Sequence, residues 1–363
     1  MGLERAGFEP LALIEIDKDA AATLRFNRPK WNVIQADVRT VNYKPFEGKI
    51  RLLAGGPPCQ PFSLGGKHKS CEDKRDMFPE AVRAVRELKP PTFLFENVAG
   101  LLRKGFQTYF NYILLQLQYP EIARGDLTWQ EHLARLEKYH TAGYADGLSY
   151  RVLFRCVNAA DYGVPQNRRR VIIVGFRNDF RVNWSFPSPT HSQEALEYAK
   201  WISKSYWAEH NLPAPKENPL STAEIRRVCQ SVEENIFPLQ RRRTVRDALK
   251  NLDAKNIHND EPHSGAKIYK GHSGSSLDLP SKAIKAGVHG VPSGENMLVE
   301  DDGNVRYYTV RESAEVQTFP QDYIFTASRS ESMRQIGNAV PVELARAIGE
   351  SLHEEFKRIA CRA

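Results

Sequence analysis

Arg51-Leu52-Leu53-Ala54-Gly55-Gly56-Pro57-Pro58-Cys59-Gln60-Pro61-Phe62-Ser63 decides how this chain is read. A short apolar run gives way to two glycines and then to a cysteine set among prolines. The glycines let the backbone leave a sheet sharply, and the prolines restrict the chain around the thiol, so the sulfur is held rather than mobile. A lone cysteine is most often a small buried hydrophobe. This one stands where a predicted strand ends, and its neighbours have to be read with it.

Working outward, Leu11–Ile16, Arg51–Ala54, Thr92–Phe95, Tyr150–Val157 and Val171–Val174 read as strands. Between two of them Phe78, Ala81, Val82, Val85 and Leu88 recur at helical spacing, which predicts a surface helix packed on the sheet. Alternation of this kind predicts an α/β fold with a mainly parallel sheet and helices on both faces. Residues 120–147 carry a helix-like pattern of their own and read as a peripheral insertion. From about Ser188 to Arg306 Pro, Gly, Ser and His become common, and Gly271–Ser276 and Gly287–Gly294 read as turn-forming stretches. Helical periodicity resumes over Val342–Phe356, with Pro341 at a first-turn position that proline tolerates. Three parts are therefore expected: a first domain over 1–187, a smaller loop-rich domain over 188–306, and a return to the first domain over 307–363.

The chain has 363 residues, 41% of them hydrophobic and 26% charged, enough for an ordinary core. No run approaches the roughly 18 apolar residues that cross a bilayer, and no secretion signal opens the chain, so a cytoplasmic location is expected. Five cysteines without a Cys-x-x-Cys pair suggest free thiols, with neither a disulfide framework nor a metal site. The net charge of +7 favours an anionic partner. Basic residues bunch at Arg168–Arg170, Arg226-Arg227 and Arg241–Arg243, which marks Arg241 and Arg243 as candidate phosphate contacts.

Four further segments complete the pattern begun at Cys59: Phe95-Glu96-Asn97-Val98 at a strand end, Gly163-Val164-Pro165-Gln166-Asn167-Arg168-Arg169-Arg170 running into a strand, Arg311–Ala314 with Gln317–Pro320, and Gln335-Ile336-Gly337-Asn338-Ala339-Val340-Pro341. In order and type these resemble the DNA (cytosine-5-)-methyltransferases of bacterial restriction-modification systems. The resemblance implies a Rossmann-like methyltransferase domain with a target-recognition domain, S-adenosylmethionine as methyl donor and S-adenosylhomocysteine as product. It implies duplex DNA as partner and a monomeric chain. It implies Cys59 as nucleophile, Glu96 at the cytosine ring, and Arg168 and Arg170 in the target-base pocket. Cofactor contacts are implied at Glu15, Ile16, Asp37, Val38, Pro58, Asn338, Ala339 and Val340, and DNA contacts at Gln60, Ser63 and Asn97. The Gly- and Lys-containing stretch Ser63–Asp76 is expected to close behind an extruded base, and Thr244–Arg306 to hold the reader.

One departure stands out. Members of the family open with a strand and a Phe-x-Gly-x-Gly turn, whereas Met1–Phe8 reads as the helix that follows it. Three expectations compete: the natural start lies upstream, a complementing N-terminal fragment comes from another chain, or the protein is an inactive DNA-binding relative. A transfer-RNA cytosine methyltransferase shares the cysteine and Glu-Asn-Val motifs, but Gln60 and the long variable region point to DNA.

Overall fold

A computed structural model of the chain describes residues 1–58, 76–143, 147–234, 238–250, 252, 258–263, 265–266, 273–286 and 296–360. Cys59, Gln60, Ser63, most of the expected closing loop, Gly271, His272 and Gly287–Gly294 lie outside the described residues.

The chain starts with a helical turn, α1 (Gly2–Arg5), then β1 (Leu13–Glu15), α2 (Lys18–Asn27), β2 (Val33–Gln35) and β3 (Leu52–Gly55). The Asp17 carboxylate caps α2 by accepting from the Ala20 N–H at 2.8 Å. The predicted surface helix forms as α3 (Phe78–Leu88) and ends where Lys89 turns left-handed. There follow β4 (Thr92–Val98), α4 (Gln107–Gln118), α5 (Trp129–Thr141), β5 (Tyr150–Asn158) and β6 (Arg169–Arg177). Helix α5, inside the expected insertion, begins with a capping box between Thr128 and Glu131.

Strands β3, β4, β6 and β5 make one four-stranded sheet in that order. Pairing β3–β4 is parallel, but β4–β6 and β5–β6 are antiparallel, so the expectation of a mainly parallel sheet is corrected. The reason is connection length: β5 reaches β6 through Ala159–Arg168, too short for the crossover a parallel pair needs. Side chains alternate to two cores. Phe93 and Phe95 of β4 and Val171 and Ile173 of β6 meet α3, α4 and α5. Leu94, Ile172, Val174 and Phe176 face the other way. The sheet is thus covered on both sides, as expected of the α/β class.

Strands β1 and β2 pair in parallel but form a sheet of their own. Ile14 of β1 and Leu53 of β3 nonetheless pack on one small cluster around Tyr43, Ala84 and Leu88. Strand β2 is absent from the sequence reading because three residues carry too little alternation to register.

Beyond residue 188 the chain is more structured than its composition suggests. It forms β7 (His191–Ser192), α6 (Gln193–Glu197), α7 (Ser205–Glu209), α8 (Thr222–Glu233), β8 (Gln240–Arg241) and α9 (Val245–Leu249). Then come β9 (Ser275–Ser276), β10 (Met297–Val299) and β11 (Val305–Tyr307), a three-stranded sheet. Ser275-Ser276, read as part of a turn, is a strand, while Gly274 just before it takes φ +66° as a turn glycine does. Helices α10 (Val310–Val316), α11 (Arg329–Asn338) and α12 (Val342–Ala360) close the chain. Leu344, Ile348 and Leu352 of α12 pack beneath the four-stranded sheet.

Candidate active site

The cysteine segment leaves β3 at Gly55, and the described chain stops at Pro58. Two hydrogen bonds anchor its ends. The Asn97 amide donates to the Pro57 carbonyl at 2.9 Å, and the Met77 N–H donates to the Pro58 carbonyl at 3.1 Å. Pro57 and Pro58 on one side and Met77 on the other therefore meet at one place, against the carboxyl end of β4. Asn97 is 95% buried and committed to this tether, which corrects its expected role as a DNA contact.

Glu96 lies beside that loop: a side chain at Gly56 would come 3.4 Å from Glu96 Oε2. In the β4–β6 ladder Glu96 pairs with Ile172, so Arg170 sits diagonally across on the same face. Its Nε is 2.6 Å from Glu96 Oε1, and both side chains are 14% exposed. Arg170 also donates to the Arg169 carbonyl at 2.8 Å. Burial pushes the Glu96 carboxyl above the ordinary carboxylate range, against the opposing pull of Arg170 and Arg168. Burial lowers the Arg170 guanidinium in turn, with Glu96 acting the other way. The site therefore places a buried carboxyl whose pKa is raised next to a guanidinium at hydrogen-bonding distance.

Arg168 is placed otherwise than its motif implies. It is 1% exposed and gives its guanidinium to three main-chain carbonyls: Ile284 at 2.8 Å, Gly337 at 2.6 Å and Ala339 at 3.0 Å. With three of its donors held by main-chain carbonyls and its side chain buried, Arg168 is turned toward the segments around residues 284 and 337–339, whereas Arg170 is the arginine paired with Glu96. Gln166 and Gln317, which the motifs contain but to which no role was assigned, complete the same buried network. Gln166 Nε2 donates to Gln317 Oε1 at 3.2 Å, and Gln317 Nε2 donates to the Ile336 carbonyl at 2.6 Å. Fully buried amides in the middle of two motifs were the signal that could have found them.

The expected cofactor residues cluster at strand ends. Glu15 closes β1 and accepts the Asp17 N–H at 2.8 Å, and Ile16 beside it is 63% exposed. Asp37 follows β2 and is held down at about 2 by Arg39, which grips its carboxylate from the surface. Val38 packs on the small cluster beneath β1. Pro58 and Asn338 are exposed, while Ala339 and Val340 are half-buried. Carboxylates at the carboxyl ends of parallel strands, with an exposed apolar side chain between them, suit a ribose and an adenine ring. Asp17, Asp19 and Glu331 come together nearby, and Arg334 already neutralises Asp17 and Glu331 at 2.5 Å each.

The two arginines marked for phosphate diverge. Arg241 is held by Asp247 at 2.7 Å and Glu209 at 2.8 Å, over the Tyr206 ring, which corrects its expected DNA contact. Two carboxylates leave it no charge to offer. Arg243 lies near His191 and Glu315 and acts on the ionisation of both.

The family model described as C-5 cytosine-specific DNA methylase matches residues 1–119 and 136–354, and its interruption falls within the expected insertion. Type II methyltransferase M.NgoMIV of Neisseria gonorrhoeae is 32% identical over 358 residues, spanning 99% of this chain and 94% of that protein. Type II methyltransferase M.Eco47II of Escherichia coli is 32% identical over 361 residues, spanning 97% of this chain and 75% of that protein. Among solved structures, a DNA modification methyltransferase encoded within an E. coli prophage shares the fold at TM-score 0.57 and 20% identity, covering 98% of this chain and 95% of that one. The S. pombe Dnmt2 methyltransferase aligns at TM-score 0.55 and 17% identity, covering 99% of this chain and 94% of that one.

Proposed function

Because the chain belongs to the C-5 cytosine-specific DNA methylase family, we propose that Cys59, Glu96 and Arg170 are the groups through which it methylates cytosine. It is a DNA (cytosine-5-)-methyltransferase of the restriction-modification type, acting on duplex DNA. S-adenosylmethionine supplies an electrophilic methyl group. Carbon 5 of cytosine is too weak a nucleophile to take it unaided. Addition of the Cys59 thiolate to carbon 6 pushes electron density to carbon 5, which takes the methyl group as the bond from the sulfonium to it breaks and S-adenosylhomocysteine leaves; loss of the carbon-5 proton and departure of the thiolate then restore the ring. Glu96 places its proton at nitrogen 3 and neutralises charge that develops during the addition. Arg170 orients Glu96 and binds the carbonyl at carbon 2. The observation that supports this most directly is the Glu96–Arg170 pair beside the tethered base of the cysteine loop.

The target base is extruded from the duplex to reach this pocket, at a cost of a few kcal/mol. Gln60, Ser63 and Arg243 face the DNA, residues 188–306 read the sequence, and 1–187 with 307–363 carry the chemistry. Glu15, Ile16, Asp37, Val38, Pro58 and Asn338–Val340 hold the methyl donor, with Asp37 exchanging its Arg39 partner for the ligand. The protein works as a cytoplasmic monomer. No described helix is long and apolar enough to cross a membrane.

The separation of β1–β2 from the four-stranded sheet supports one more element of this reading. Among the described residues one edge of β1 and one of β3 have no strand partner beside a shared apolar cluster, and a strand-forming fragment from another chain would pair with both.

Tritium transfer from labelled S-adenosylmethionine tests the whole proposal, with duplex DNA and transfer RNA as competing substrates. Incorporation into DNA, blocked by C59S, is the expected result. Background counts despite DNA binding would overturn it. Titrating in a Phe-x-Gly-x-Gly strand fragment is expected to raise the rate, and an unresponsive rate removes the fragment from the reading.

A further inference from the structure

The buried contacts of Arg168 join three parts of the molecule that are far apart in sequence. Its NH1 donates to the Ile284 carbonyl, and its NH2 to the carbonyls of Gly337 and Ala339. Two residues further along the same strand stands Arg170, paired with Glu96.

The segment Ser281–Ala286 is fastened to this point from several sides. The Ser281 N–H donates to the Pro165 carbonyl at 2.9 Å, and the Asn167 N–H donates to the Ser281 carbonyl at 2.8 Å. The Ile284 N–H donates to Gln166 Oε1 at 3.0 Å. At the far end the Asn296 amide clamps Lys285 in both directions, at 3.0 Å to its N–H and 3.0 Å to its carbonyl. Contact with the Gly337 turn is equally close, since a Cβ on Gly337 would fall 2.3 Å from the Ala286 nitrogen. A glycine is required there because the two backbones touch. No layer of adaptable side chains separates the segment from the catalytic motif or from the turn.

We propose that Arg168 is a positioning residue, a clasp through which the Ser281–Ala286 segment sets the placement of Arg170 and of Gly337–Val340, the last turn of α11 and the residues that follow it. The inference rests on the reading of residues 188–306 as the DNA-facing region, and it adds a route from that region to the chemistry. Three carbonyls at fixed angles leave the guanidinium one orientation, so a shift of the segment moves the start of β6 and the turn together. Packed polar contacts of this kind transmit displacement because they have few alternative arrangements. DNA engaged by the reader thereby aligns the pocket and the turn in one step. DNA bound elsewhere on the basic surface leaves both as they were.

Amide hydrogen exchange read by mass spectrometry on the full chain, with and without saturating linear plasmid duplex, tests the clasp independently of turnover. In the unaltered protein, DNA is expected to slow exchange over both 281–286 and 337–340. In R168K, which keeps the charge but not the three-carbonyl geometry, only 281–286 is expected to respond, with the protection of 337–340 reduced about tenfold, within the usual range of coupling between sites. N296A loosens the segment from its other end and is expected to give the same pattern; it decides the matter if R168K does not fold. In the methyl-transfer assay R168K is expected to lower kcat by at least about tenfold with KM for DNA changed by less than about threefold, the split that marks misalignment rather than lost binding. Equal protection of both segments in R168K, or protection of 281–286 alone in the unaltered protein, would overturn the clasp. Absence of protection at 281–286 in the unaltered protein would instead strike the reading of this region as DNA-facing, and the clasp with it.

Discussion

At the residue scale the proposed chemistry concentrates in the Glu96 carboxyl, whose pKa burial raises, and in the Cys59 thiol. Replacing Cys59 by serine leaves a much poorer nucleophile at the same position. C59S is expected to lower methyl transfer by about 10³-fold or more while DNA binding in a gel-shift assay persists. Glu96 supplies a pH signature. Its folded pKa is raised, first by burial, so the stability it contributes is fully present below the ordinary carboxylate range and is lost as pH rises through the raised value. Gln at this position cannot ionise. The melting temperature of E96Q relative to the unaltered protein is therefore expected to climb as pH rises from about 4 to about 7. A difference that is flat, or that falls, would mean that the Glu96 pKa is not raised in the folded protein. In turnover E96Q is expected to lose about 10²-fold or more, as removal of a positioned proton donor does.

At the element scale β4 and β6 carry the site, and their packing leaves little slack. Gly175 pairs with Phe93 across the ladder, and a Cβ there would lie 2.1 Å from the Phe93 ring. The ring cannot swing away, because it is fully buried and packed on Phe95 and Tyr150 at 5.2 Å each. G175A is expected to cost about 1–3 kcal/mol in urea unfolding, the usual penalty of overpacking, and to lower kcat by disturbing the Glu96–Arg170 diagonal. Unchanged stability would show that the ring has room to move. The strands were legible in the sequence because each is an apolar run bounded by polar or turn residues. Their directions were not, since β6 runs antiparallel for reasons of connection length that no single run reveals.

On the scale of the whole molecule the β1–β2 sheet and the four-stranded sheet meet through the apolar cluster around Tyr43, Ala84 and Leu88. β1 is only partly buried along its length, and β3 is exposed at Ala54 and Gly55, whereas β4 is buried through its first four residues. Amides of Leu13–Glu15 and Leu52–Gly55 are therefore expected to exchange faster than those of Thr92–Val98 and Arg169–Arg177, and to slow when a complementing strand binds. Equal protection in the chain alone would mean that the split between the sheets does not exist in solution.

The motifs around Cys59, Glu96 and Arg170 pointed to the reaction from sequence alone, because such chemistry restricts which residue types can stand at these positions. Alternation of apolar runs likewise determined the α/β class and the helix α3. What the sequence could not decide were the partners of residues far apart along the chain. Arg168 finds its carbonyls at residues 284, 337 and 339, Arg241 is neutralised by Asp247 and Glu209, and Asn97 turns inward to Pro57. Two arginines of one motif look alike in a string of letters. Only the tertiary structure separates them, because burial and the nearest acceptor decide what a guanidinium does, and both are set by segments that meet only once the chain has folded.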